Sequence, residues 1–150
     1  MHLAVGGVGV DPAALIVVQV GVAQVPLKLF KSRKGSGADE ATDEDLYWLV
    51  THQPNSWMTP YEWREQMVFH AVLARGSFSL ITRSSLDRRI LELLPVMPGA
   101  VSTTQGSDWV ITFQVNSKLK SYEVPQDEIV RLRGPSWDTI CGIDIIKEAA

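Results

Sequence analysis

Thr59-Pro60-Tyr61-Glu62 constrains this chain more than any other four residues. It sets a capping hydroxyl, a proline at the first helical position and a glutamate three residues on that can close a capping box. A helix is expected from Pro60 to about Arg75, with Gly76 placed to end it. Its second half, Met67 to Ala74, is apolar all round except for His70, so other elements should enclose it. After Gly76 the period changes from helical to two. Phe78, Leu80 and Thr82 alternate with Ser77, Ser79 and Ile81, Ser84 to Arg89 supplies a polar turn, and Ile90 to Leu94 returns as the partner of a hairpin that Pro95 and Pro98 close.

Further strands are signalled by Trp109 to Val115, Tyr122 to Val124 and Ile129 to Arg133, with Pro125 to Glu128 as a turn or single helical turn. Gly134 to Cys141 reads as loop, and a helix starts at Gly142 and is cut off at Ala150, as in a piece of something longer. On the N-terminal side, Asp11 and Pro12 suit a helix start, Pro26 stops that helix, and Leu27 to Phe30 read as a short strand. Ser32 to Ala41 is rich in Gly, Ser and charge and reads as a surface loop, and Asp43 to Thr51 as a short helix with acids in its first turn. Gly6-Gly7-Val8-Gly9 lacks the third glycine and the following helix of a dinucleotide loop. The expected organisation is a flexible leader over 1–11 and one α+β domain over 12–150, helices packed on a mostly antiparallel sheet.

Composition narrows the chemistry. At 150 residues with a net charge of −3, the chain suits one compact domain and not a protein that grips nucleic acid by neutralising phosphates. The apolar run Ala13 to Ala23 is shorter than the ~20 residues a membrane span needs, and no Lys or Arg precedes it as in a signal peptide. One cysteine, Cys141, allows no intrachain disulfide and is expected to be packing. The three histidines (His2, His52, His70) show no metal-ligand spacing, so neither a metal nor a cofactor is expected. His70 is expected as a hydrogen-bonded core residue rather than a general base. Glu62 and Glu65 lie at helical spacing, as on an exposed face. The basic residues Lys28, Lys31, Arg33 and Lys34 face acidic Asp39, Glu40, Asp43, Glu44 and Asp45, a balance that suits a solvated turn better than a phosphate site. Five tryptophans (Trp48, Trp57, Trp63, Trp109, Trp137) suit a core or a subunit interface.

Read in order, several blocks resemble the portal proteins of tailed bacteriophages, of the long-tailed siphovirus type. Gln53-Pro54-Asn55-Ser56-Trp57-Met58-Thr59 followed by Glu62-Trp63-Arg64 is similar to that family's "QPNPWMT" turn and "EFRE" helix start. Val22-Ala23-Gln24-Val25-Pro26-Leu27 resembles "VASLPL", Gly76-Ser77-Phe78 resembles "GNAY", and Glu92 to Pro98 resembles "ELxPLxP". Val124 to Arg133 and Gly142 to Ile146 extend the likeness, which spans roughly residues 20 to 150. The sequence departs from the pattern at Ser77, where the family usually has Asn, near Arg131, where it has His, and at Asp144-Ile145, where it has Ser-Pro. The likeness covers the outer, wing-like region, without the channel-lining helix or the segments that meet terminase and tail.

The resemblance implies a structural role, as a subunit or fragment of the portal ring at a capsid vertex, serving DNA packaging, DNA ejection and head–tail joining. It implies no catalysis, a homo-oligomeric ring, terminase, capsid and tail-adaptor partners, and double-stranded DNA passing through without sequence-specific binding. It places the protein in the virion and, during assembly, in the host cytoplasm, with no membrane. A ring needs a heterologous interface, one patch meeting a different patch on the next subunit. Asp39, Glu40 and Asp43 opposite Arg83, Arg88 and Arg89 are candidates for such a pair of patches. The alternative is a non-viral α+β module that binds a protein or ligand, with an enzyme more distant.

Overall fold

A computed structural model of the chain describes residues 3–5, 8–10, 20–33, 37–117, 120–136, 140 and 142–143. β1 (Leu3–Val5) pairs antiparallel with β2 (Val8–Val10). Residues 20–24 are helical (α1) and stop ahead of Pro26. The start expected at Asp11 and Pro12 lies outside the described residues, as do Cys141, Trp137 and His2; of the helix expected from Gly142, Gly142 and Ile143 are described and are not helical, and the rest lies outside.

The helix that the capping signature announces is α3 (Pro60–Leu73). The Thr59 hydroxyl accepts from the Glu62 N–H at 3.3 Å, and the Glu62 carboxylate accepts from the Thr59 N–H at 2.7 Å and from its hydroxyl at 2.8 Å. Those bonds hold the Glu62 carboxyl below its ordinary pKa, the Thr59 N–H being the larger cause. Thr59→Ala should cost about 1 kcal/mol, read as a lower midpoint in chemical unfolding.

Past Arg75 and Gly76, which turn the chain with φ of 37° and 134°, α3 runs into β5 (Gly76–Arg83). β5 is the middle strand of an antiparallel sheet, flanked by β6 (Ile90–Val96) and β10 (Ile129–Arg133). Register sets opposite faces: Ser79 opposes Pro95 and Val130 and Ile81 opposes Leu93, while Phe78 opposes Val96 and Arg131. β6 continues through Pro95, which was expected to end it; on an edge strand the missing N–H leaves one ladder unharmed.

The first face takes the helices. Leu49 and Val50 from α2 (Asp45–Thr51) and Trp63 and Met67 from α3 form one core with Leu93, joined by Ile81 and Val130. Ser77 and Ser79 are fully buried under α3; Trp63 donates its indole N–H to the Ser79 hydroxyl at 3.2 Å. The other face packs on a second antiparallel sheet of β7 (Val101–Gln105), β8 (Ile111–Asn116) and β9 (Ser121–Val124). There Phe78 and Ile129 meet Phe113, Val115 and Val124 in a second core. The Arg131 guanidinium lies 5.9 and 5.6 Å from the ring centres of Phe78 and Phe113. The architecture is therefore α+β in three layers: helices, a central sheet and an outer sheet.

Two departures from the sequence reading have local causes. Ser32 to Ala41 is not simply a loop: β3 (Phe30–Ser32) and β4 (Ala38–Glu40) pair across it, supported by ion pairs of Lys28 with Glu40 and Arg33 with Asp39. Its strands contain no β-branched residue, so no strand pattern marks the hairpin in the sequence. The strand expected from Trp109 begins at Ile111, because residues 106–109 turn the chain from β7, a strand whose lone apolar residue, Val101, hides its alternation.

Candidate interface surfaces

The segment Gln53 to Thr59 is built as a rigid brace on the edge of β6. Leu93 donates its N–H to the Pro54 carbonyl at 2.7 Å, and the Asn55 side-chain amide donates to the Leu93 carbonyl at 2.9 Å. The Asn55 carbonyl oxygen accepts from the Trp57 N–H at 3.2 Å. Pro54 and Asn55 are buried and Met58 packs on the helix-side core, so the edge strand is covered over this stretch. Trp57 is the large apolar side chain of the segment that faces outward, 64% exposed.

Of the charged residues expected at a subunit contact, Asp39, Glu40, Asp43, Arg88 and Arg89 are exposed and Arg83 is half-buried, and most engage partners within the chain. Asp39 pairs with Arg33, and Glu40 with Lys28 at 3.4 Å, both within the β3–β4 hairpin. Asp43 helps hold the Lys31 ammonium above its ordinary pKa, behind the larger effect of Glu44, which pairs with it at 2.7 Å. Arg83 donates to the carbonyls of Arg88 and Asp127 at 3.3 and 3.4 Å, and Arg88 lies 3.6 Å from Glu128. Arg89 grips Asp45 with a two-pronged contact at 2.8 and 3.2 Å, so the Arg-rich turn meets the start of α2 within one chain. That hydrogen bond draws the Asp45 carboxyl below its ordinary pKa and raises Arg89. Among the described residues no ion pair joins Asp39, Glu40 or Asp43 to Arg83 or Arg88. Pairs this exposed each contribute little stability, and a neighbouring subunit could exchange them at small cost.

The tryptophans divide in a way their spacing did not disclose. Trp63 is core, whereas Trp48, Trp57 and Trp109 are exposed, Trp48 with its ring stacked on His52 at 5.8 Å. Glu62 caps α3, and Glu65 accepts from the Tyr61 hydroxyl at 3.5 Å. No group of three or more His, Cys, Asp or Glu side chains gathers among the described residues, and no helix among them is long and apolar enough to cross a membrane.

His70 is half-buried in the last turn of α3, and its Nδ1 has no hydrogen-bond partner among the described residues, unlike the satisfied core histidine expected. Burial holds its pKa below the ordinary 6.5, outweighing the pull of a helix C-terminus toward the cation. The sign follows: the unfolded chain takes up the proton first, so stability is full above the ordinary value and falls as pH drops below it. Unfolding midpoints should therefore decline as pH drops through about 6.5, and His70→Gln should flatten that decline.

Comparison with known proteins places these surfaces in context. A family model described as phage portal protein matches residues 13–150. Protein BeeE of Escherichia coli (strain K12) is 35% identical over 85 residues, 57% of this chain and 52% of BeeE. A chain from the neck of an empty GTA particle, computed with C6 symmetry, superposes with a TM-score of 0.64 at 15% identity, over 90% of this chain and 36% of that one. At that identity the likeness is one of fold. The chain thus spans about half the length of BeeE and just over a third of the neck chain.

Proposed function

Because the chain belongs to the phage portal protein family, we propose that it is a structural subunit of the ring at a phage capsid vertex, the passage for DNA during packaging and ejection and the joint between head and tail. The observation that carries this is the family match across 13–150, nearly the whole three-layer domain. The role is mechanical: the family is structural, and the chain supplies a folded unit with charged and aromatic surfaces left over after its cores are filled.

The net charge of −3 suits a passage that must let DNA slide. Tight phosphate binding would stall translocation, and Lys28, Lys31, Arg33, Arg83, Arg88 and Arg89 are engaged with carboxylates and carbonyls. The partners that follow from this role are further copies of the same chain, the capsid, the terminase and a tail adaptor. The location is the virion vertex, reached through assembly in the host cytoplasm. Asp39, Glu40, Asp43, Arg83, Arg88 and Arg89 would contribute at the rim of the subunit contact, where charges set register and approach rate more than affinity.

Native mass spectrometry of the purified chain, with sedimentation velocity, tests the reading. One dominant closed stoichiometry well above a dimer is expected. A strict monomer that binds a small ligand saturably would favour the binding-module alternative and contradict the ring.

A further inference from the structure

Trp109 carries two costs that folding of a single chain does not explain. It stands at the tip of the β7–β8 hairpin with 79% of its surface exposed, and its backbone lies in the left-handed region at φ 63°. The turn is closed around it: Gly106 donates to the Val110 carbonyl at 2.9 Å, Trp109 to the Gly106 carbonyl at 3.1 Å, and Val110 to the Asp108 carboxylate at 3.2 Å. Glycine or asparagine would fill that position with little or no strain. Instead the outer sheet presents an indole in water with half-exposed Val110 beside it. Trp48 and Trp57 share the exposure but not the strained backbone.

On the helix layer, across the central sheet, Pro26, Leu27, Val50, Pro60, Tyr61 and Arg64 line a recess of about 310 Å³. The Arg64 guanidinium is held by the carbonyls of Ala23 at 2.9 Å and Val50 at 3.4 Å, with no carboxylate paired to it among the described residues. A fixed guanidinium between apolar walls complements the face of an indole, whose π-electrons attract a cation within about 6 Å.

We propose that Trp109 of one copy seats in this recess of the next copy, against Arg64. The inference rests on the ring reading above and names its contact. Knob and recess lie on opposite layers, so a two-fold pair could not use both at once; the contact is heterologous and propagates from copy to copy. A buried tryptophan in such a pocket is the kind of residue that dominates an interface.

Sedimentation velocity on the whole chain and its variants tests the contact. Trp109→Ala should weaken self-association by roughly 30-fold or more. Trp109→Gly should lose association equally while its thermal midpoint is no lower than wild type, because glycine relieves the left-handed position. Leu27→Asp should produce the same loss from the recess side. Mixing Trp109→Ala with Leu27→Asp leaves one intact knob and one intact recess, so the mixture should form one-to-one pairs that do not extend. Either variant associating like wild type, a wild-type chain that stays monomeric, or a mixture that forms no pairs would overturn the proposal. Closed rings that persist in Trp109→Ala would remove this contact and leave the portal reading standing; Trp109-dependent pairs that never close would do the reverse.

Discussion

Trp63→Ala should cost about 3–5 kcal/mol, a large share of the stability of a domain this size. Trp63 is 4% exposed and joins α2, α3 and the central sheet in one cluster with Leu49, Val50, Met67 and Leu93. Removing the indole opens a cavity where two helices and the sheet meet, and leaves the buried Ser79 hydroxyl without its donor. Trp63→Phe keeps most of the volume and loses the N–H, so it should cost nearer 1–2 kcal/mol. Urea denaturation of the three proteins separates the terms, and equal losses for Phe and Ala would show that the hydrogen bond, not the packing, holds the helix layer.

Asn55→Ala should cost about 2–4 kcal/mol, a loss far above the typical surface substitution. Its side chain, 3% exposed, serves the Leu93 carbonyl and the Trp57 N–H together, and each backbone group left unsatisfied costs about 1–3 kcal/mol according to how fully water is excluded. Asn55→Asp is the informative companion. It keeps an acceptor for Trp57 but turns a carboxylate oxygen toward the Leu93 carbonyl, so it should be at least as harmful as Ala near neutral pH and recover as the carboxyl is protonated. Hydrogen exchange at Leu93 should rise in both variants, since its own N–H is held by the Pro54 carbonyl of the same brace.

The helix layer and the central sheet were legible in the sequence because local chemistry and tertiary need agree there. The Thr59 to Glu62 box, the glycine at 76 and the alternation through Thr82 each specify a local conformation that packing then uses. The outer sheet was half legible: Phe113 and Val115 alternate cleanly, while β7 shows one apolar residue in five and a neighbour decides its state. The β3–β4 hairpin was hidden for a similar reason, its strands showing neither apolar alternation nor a β-branched residue.

The surfaces were less legible than the elements. The acidic and basic candidates could be identified as charged runs, but not that Arg89 would take Asp45 within the same chain, a contact between residues 44 apart in sequence. The five tryptophans gave no sign of which one stabilises the core. A positive φ leaves no trace in composition, and Trp109 follows Gly106-Ser107-Asp108, where a turn could have been placed with its αL residue at any of several positions. Gly134 is similar: a Cβ there would collide with the Ala71 carbonyl oxygen, a close approach of β10's end to α3 that no sequence pattern marks.

Cryo-electron microscopy of the purified chain tests the central claim most directly. The account predicts closed rings in which the helix layer of each copy faces the outer sheet of the next, all copies pointing the same way around the axis. Two-fold dimers, or single copies with both layers bare at every concentration tried, would contradict it.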